Sequence, residues 1–287
     1  MKRRPIALLL CVLLAVVLAG CGGETKTIEE PAAVLDPAIV QTLDLSDKQA
    51  KDLASSIQTL NLTSEQEDST LRVIQTFGND RELYVFYEVT FADGVPLPDP
   101  EEGKPYPATY TLTGQEERNQ HSTSQSMTLL CEDNTFTYLS YFLHRKGSPW
   151  PEGEVQFTIE GFSYDQGDTP VPVTEDVHTL TWTPTNQGTI LSGDIAAEDG
   201  TVLGNVTLSP FSLIFSLDAS QAEDFSQVVV STRLVYADGT TSYPDGSVAG
   251  GSTSDPLRDI QGNKVFRSPI DIAQVTAVQI DGHTVTF

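Results

Sequence analysis

Basic residues are scarce in this 287-residue chain: 16 lysines and arginines stand against 40 aspartates and glutamates, a formal net charge of −24. Nucleic-acid binding rests on Lys and Arg contacts to phosphate, and so does adhesion to anionic lipid, so neither role fits this balance. Cysteine is equally sparse, at positions 11, 21 and 131. With the first two at the N-terminal apolar stretch, only Cys131 lies in the body, and no disulfide can staple it. Stability must therefore come from hydrophobic burial, for which 39% apolar residues and 8% aromatics suffice. The four histidines, His121, His144, His178 and His283, are far apart and none sits in an HExxH pattern, so a zinc hydrolase has no support. Gly-x-Ser-x-Gly and Ser-x-x-Lys with its companion motifs are also missing, which removes the common acyl-transfer enzymes. Finally, no strand-like stretch is followed by a long amphipathic helical period, which argues against doubly wound α/β folds.

What is present starts with MKRRPIALLLCVLLAVVLAGCGG. Lys2, Arg3 and Arg4 form a positive region, Ile6 to Val17 an apolar one, and small residues follow, the pattern of a secretory signal. The apolar run is too short for a comfortable membrane span. Leu18-Ala19-Gly20-Cys21 resembles the lipobox of bacterial lipoproteins, and the resemblance implies that the Cys21 thiol takes a diacylglyceryl group and becomes the mature N-terminus. A plain secretory signal with an accidental cysteine is the alternative. Two acyl chains anchor stably, at about 0.8 kcal/mol per buried methylene. Loss of residues 1–20 removes three basic residues and no acidic one, leaving a charge of −27. The expected partner is thus the membrane, through the lipid on Cys21. Solubility at a crowded surface explains the acidity better than an acidic active site does.

Residues 21–44, interrupted by Pro31 and Pro37, read as a flexible tether. Ser46 with Gln49 makes a capping box for a short helix bearing Ala50, Leu53 and Ile57 on one face. From Leu60 the period changes to two. Leu83, Val85, Tyr87, Val89 and Phe91 share one strand face, and Tyr84, Phe86, Glu88 and Thr90 the other. If Leu71, Val73 and Phe77 line the same face as Leu83, a three-residue Asn79-Asp80-Arg81 loop must join the two strands. Further strands are expected at 109–113, 126–132, 136–144, 155–160, 180–183, 189–196, 202–208, 211–217 and 228–236. Asp-Gly pairs punctuate them, as at Asp281-Gly282, where Ile280 should pair with His283 and Val278 with Val285. The Gly/Ser-rich 245–262 reads as a mobile loop. KGSPWPEG, 146–153, is the expected domain boundary.

These patterns predict an all-β chain: signal peptide 1–20, tether 21–44, and two immunoglobulin-like sandwiches, 45–148 with its short helix and 149–287. TLRVIQTFGNDRELYVFYEVTF, LSPFSLIFSL and SPIDIAQVTAVQIDG resemble a bacterial family of domains of unknown function. Its members are extracytoplasmic parts of Gram-positive lipoproteins and of membrane proteins resembling anti-sigma factors. The resemblance spans residues 48–287, implies an immunoglobulin-like architecture at the envelope, and offers no catalytic residues. A lipobox without a cytoplasmic domain departs from the anti-sigma-like members and argues against a direct transcriptional role.

No catalytic, cofactor-binding or metal-binding residue stands out, and no cofactor is expected. Asp255, Asp259 and Asn263, or Asp165 and Asp168, could meet calcium, but neither set has the spacing of an EF-hand loop. Cys131 alternates with Met127 and Leu129 like a buried thiol. Trp182 reads as core, whereas an exposed Trp150 would favour binding, and Pro210 reads as a strand start or bulge. The expected function is a non-enzymatic, lipid-anchored binding module at the envelope. A carbohydrate hydrolase with paired carboxylates is the alternative; a cleft with two facing carboxylates and aromatics would mark it.

Overall fold

In the computed structural model the described residues are 34–99, 103–114, 123–143, 149–150, 152–218, 228, 231–252, 259–266 and 268–287. Two short helices, α1 (Pro37–Thr42) and α2 (Asp47–Asp52), precede strands arranged in four antiparallel sheets. The first sheet has the order β1-β2-β3-β6-β5 and the second β4-β7-β8. Their strands are β1 (Ile57–Glu65), β2 (Ser69–Gly78), β3 (Glu82–Phe91), β4 (Tyr106–Gly114), β5 (Thr123–Glu132), β6 (Thr135–Leu143), β7 (Val155–Gln166) and β8 (Thr169–Trp182). The third and fourth sheets, β14-β15-β11-β10-β9 and β13-β12-β16-β17, take the rest. These are β9 (Leu191–Ala196), β10 (Val202–Leu208), β11 (Ser212–Asp218), β12 (Arg233–Tyr236), β13 (Thr241–Ser242), β14 (Gly246–Ser252), β15 (Asp259–Phe266), β16 (Val275–Ile280) and β17 (His283–Thr286). The all-β class and the pair of sandwiches are as the sequence indicates.

The first two sheets close on one core. Tyr87 of β3 lies 5.2 Å from Phe157 of β7, and Phe91 meets Phe162 edge-on at 5.3 Å. Trp182 is in this core, 6.4 Å from Phe157. The third and fourth sheets enclose a separate core containing Val206, Phe215, Leu234, Val278 and Val285. The segment between β6 and β7 therefore joins two faces of a single sandwich. The boundary expected at 148/149 is corrected, because β4 pairs with β7 across it and Leu112 shares a core with Phe157. The sandwiches part at 183–190.

That linker is held, not loose. The Gln58 side chain donates to Thr183 O and accepts from Thr185 N, both at 3.0 Å, while Asn186 Nδ2 donates to Ser56 O at 2.6 Å. Gly188 N donates to Gly78 O at 2.9 Å, and a Cβ on Gly188 would collide with that carbonyl.

Sheet one is covered on both faces, which is why β3 reads as a nearly continuous apolar run. Its outer face carries Phe77, Tyr84, Phe86, Leu139 and Tyr141, packed against Leu35, Ile39, Leu43, Leu45 and Leu53 from the N-terminal segment and against Phe211 and Ile214 from the second sandwich. Two expectations fail here. Residues 34–44 are not tether: Asp36 caps α1, Pro37 occupies its first turn where no N–H is needed, and Gln75 clips Val34 O and Asp36 N at 2.9 and 3.0 Å. Phe77 does not share a face with Leu83. The register slips between Val73 and Gln75, so the bulge turns Phe77 outward, Gly78 pairs with Leu83, and the loop shrinks to Asp80-Arg81.

Residues 246–252 and 259–262 of the expected 245–262 loop are strand, in β14 and at the start of β15, while 253–258 lie outside the described residues. Gly246 is required there because a Cβ would strike Val265 O of the partner strand. Val228 is helical and β12 begins only at Arg233, later than expected. Pro210 sits in the Ser209–Ser212 turn, where its fixed φ is favourable, and not in a strand. The terminal hairpin follows its expected register, Ile280 with His283 and Val278 with Val285, around Asp281 and Gly282 at φ +47° and +82°.

Candidate functional site

The capping box is present, Ser46 with Gln49, and it orients α2 so that Leu53 is buried under the joint while Lys48 and Gln49 reach the second sandwich. Lys48 Nζ contacts Asp52 Oδ2 at 2.8 Å and Asp271 Oδ2 at 2.7 Å. Gln49 Nε2 donates to Pro269 O at 2.7 Å. Behind these contacts runs a groove of about 370 Å³, walled by Leu53, Leu191, Pro210, Ile270 and Ile272. That volume lies within the range of small-molecule sites, which favour such junctions between domains.

Hydrogen bonds donated to Asp271 and then Asp52 raise the Lys48 ammonium above the ordinary lysine range. A lysine so held is neither a nucleophile nor a base at neutral pH. The two carboxylates at the rim accept from one shared ammonium. Among the described residues no aromatic side chain lines the groove, so only half of the hydrolase criterion is met there. The groove can seat an apolar body with a polar end at its charged rim.

A second cluster invites a catalytic reading. Ser69 Oγ lies 2.9 Å from His178 Nε2 and donates to Asp176 Oδ2 at 2.6 Å, and Ser64 Oγ lies 3.2 Å from His178 Nδ1. In an acyl-transfer triad the carboxylate orients the imidazole; here it takes the serine proton, and Ser69 is 2% exposed. The cluster is a seam between β1, β2 and β8. Burial lowers the His178 pKa from 6.5, with Asp176 opposing it. Below that value the unfolded chain takes up a proton that the folded chain resists, so stability falls as pH falls. Thermal midpoints between about pH 7.5 and 5 should drop further for the wild type than for His178→Gln; parallel curves would contradict this.

The other expected residues are dispersed. Cys21 lies outside the described residues, as do His121, His144, Asp255 and the side chain of Cys131. His283 Nδ1 donates to Ala196 O at 3.2 Å, a structural contact. Trp150 is half-buried against the first core, with its backbone N–H donating to Asp80 O at 2.6 Å. Asp165 accepts from Tyr106 at 2.6 Å. Among the described residues no three His, Cys, Asp or Glu side chains gather as a metal site. No helix among them is long and apolar enough to cross a membrane.

No family model matches the chain, and no curated protein matches it. Among solved structures, a conserved domain protein from Bacillus anthracis is similar with a TM-score of 0.50 and 12% identity, over 77% of this chain and 75% of that one. The N-terminal periplasmic domain of ScsB from Proteus mirabilis aligns over 78% of this chain and 94% of that one, at 8% identity and a TM-score of 0.26, too low to carry an argument. The first likeness is one of fold, and it agrees with the all-β sandwich architecture.

Proposed function

We propose that this chain is a lipid-anchored extracytoplasmic module that binds a ligand or partner without transforming it. The observation that carries the reading is Leu18-Ala19-Gly20-Cys21 placed directly after a charged and then apolar leader. The resemblance of residues 48–287 to envelope domains of unknown function supports the same location. The groove beneath α2 is the seat for the ligand: it is of ligand size, apolar within, and edged by Lys48 and Asp271.

Carbohydrate hydrolysis is the second reading, and the meeting of Asp52 and Asp271 at one rim is what favours it. The two readings part in one assay. Purified protein incubated with envelope polysaccharides should release no new reducing ends; release that Asp271→Asn abolishes would make the chain a hydrolase. Location is tested separately. Protease added to intact protoplasts should digest the chain, and survival until lysis would overturn the extracytoplasmic placement.

A further inference from the structure

Glu82 opens β3 and is completely buried between the two sandwiches. Its Oε1 accepts from Asn79 Nδ2 at 3.0 Å, and its Oε2 from Tyr141 at 2.9 Å and from Ser212 Oγ at 2.6 Å. Asn79 and Tyr141 belong to the first sandwich and Ser212 to the second, so this carboxyl links them at a single oxygen. Every donor is neutral, and no ion pair to Glu82 exists among the described residues. A buried carboxylate without a cation is a liability that natural chains seldom retain for packing alone.

We propose that Glu82 is a proton-operated joint: with its carboxyl neutral the two sandwiches are locked together, and with it ionised the lock loosens. The surroundings leave the switch to Glu82. From β3, the Tyr84 phenol faces it; from β6, the Tyr141 phenol does. Burial holds both well above the ordinary tyrosine range, so they stay neutral wherever Glu82 titrates. The β10–β11 turn brings Ser209 and Ser212, which do not ionise. Asp80 and Arg81, in the turn before Glu82, lie close to each other, with Arg81 Nη1 donating to Thr207 Oγ1 at 3.2 Å.

Desolvation raises the Glu82 pKa above its ordinary 4.5, against the opposing hydrogen bonds from Ser209, Ser212, Tyr141 and Asn79. Below 4.5 both folded and unfolded chains keep the proton and the group contributes nothing. Above it the unfolded chain releases the proton first, so stability is lost as pH rises toward the folded value. The opposite sign to His178 makes the two groups separable. Pro210, in the same turn, walls the groove, so loosening the joint would widen it; that consequence alone rests on the groove being the ligand seat.

The test compares the detergent-solubilised full chain with Glu82→Gln between about pH 5 and 8. The wild-type unfolding equilibrium should shift toward the unfolded form relative to Gln, by up to about tenfold per pH unit. Amide exchange in residues 209–214, corrected for its intrinsic pH dependence, should accelerate with pH in the wild type only. Parallel stability curves, or equal exchange, would overturn the proposal. Ser212→Ala gives a second handle should Gln not fold. It removes the second sandwich's donor to Oε2, so amide exchange in residues 209–214 should be fast already at pH 5 and no longer change with pH; exchange as slow as in the wild type at pH 5 would likewise overturn the joint.

Discussion

Replacing Cys21 by alanine is expected to move the protein from the membrane fraction to the soluble one. The thiol is the group that would form the thioether to diacylglycerol, and alanine offers no nucleophile. No described helix can substitute as a span. The chain's charge of −24 gives it no attraction to anionic headgroups either. Two acyl chains of about 16 carbons each would contribute on the order of 20 kcal/mol at about 0.8 kcal/mol per methylene, so their loss leaves nothing comparable. Fractionation with and without high salt measures this. Retention of Cys21→Ala in salt-washed membranes would show that something other than the lipid holds the protein.

Tyr87→Ala carries the largest expected loss of stability, about 3–5 kcal/mol. The residue is fully buried at the centre of the first core. Its ring stacks on Tyr138 at 5.2 Å and meets Phe157 of the facing sheet at the same separation, while its hydroxyl lies 3.1 Å from Ser140 Oγ. Alanine therefore removes contacts within one sheet and between two, and opens a cavity that β3, hydrogen-bonded to β2 and β6, cannot collapse to fill. Tyr87→Phe separates the contributions, keeping the rings and losing one hydrogen bond, about 1 kcal/mol. Val177→Ala, at a residue 51% exposed, should change stability by less than about 0.5 kcal/mol. Urea unfolding measures all three. A Tyr87→Ala value near that of Val177→Ala would refute the assignment of its face to the core.

Local signals made much of this fold readable. The alternation along β3 separated Leu83 and Tyr87 from Tyr84 and Phe86 correctly, and both faces are buried because two layers flank the sheet. Ser46 with Gln49 and the Asp281-Gly282 turn are rules of three or four residues, and both hold. The structure departs from these local signals where one residue changes the count or where composition and conformation diverge. The extra residue at Ile74 reversed Phe77, an event no period-two count can contain. Pro37 looked like a break but begins a helix. The glycines of β14 read as a loop but pair with β15, whose Val265 carbonyl Gly246 approaches closely.

The candidate site was scarcely legible. Lys48 and Asp271 are 223 positions apart, Glu82 and Ser212 are 130, and Ser69 and His178 are 109. Each carries only a local signature: a helix face, a strand start, a turn serine. What could have drawn attention to Glu82 was a carboxylate entering an otherwise apolar strand, RELYVFYEV, without a neighbour to neutralise it on its own face. The domain boundary is hidden in the sequence for a related reason. Pro and Gly mark a change of direction, and between β6 and β7 the chain turns from one sheet of a sandwich to the other.

The proposed lipid anchor is tested most directly by the mass of the mature N-terminal peptide, taken from protein isolated from its own cells. A lipid-anchored chain should start at Cys21 and carry a diacylglyceryl thioether on that residue. A mature chain that begins elsewhere, or one that begins at Cys21 with a free thiol, would contradict it.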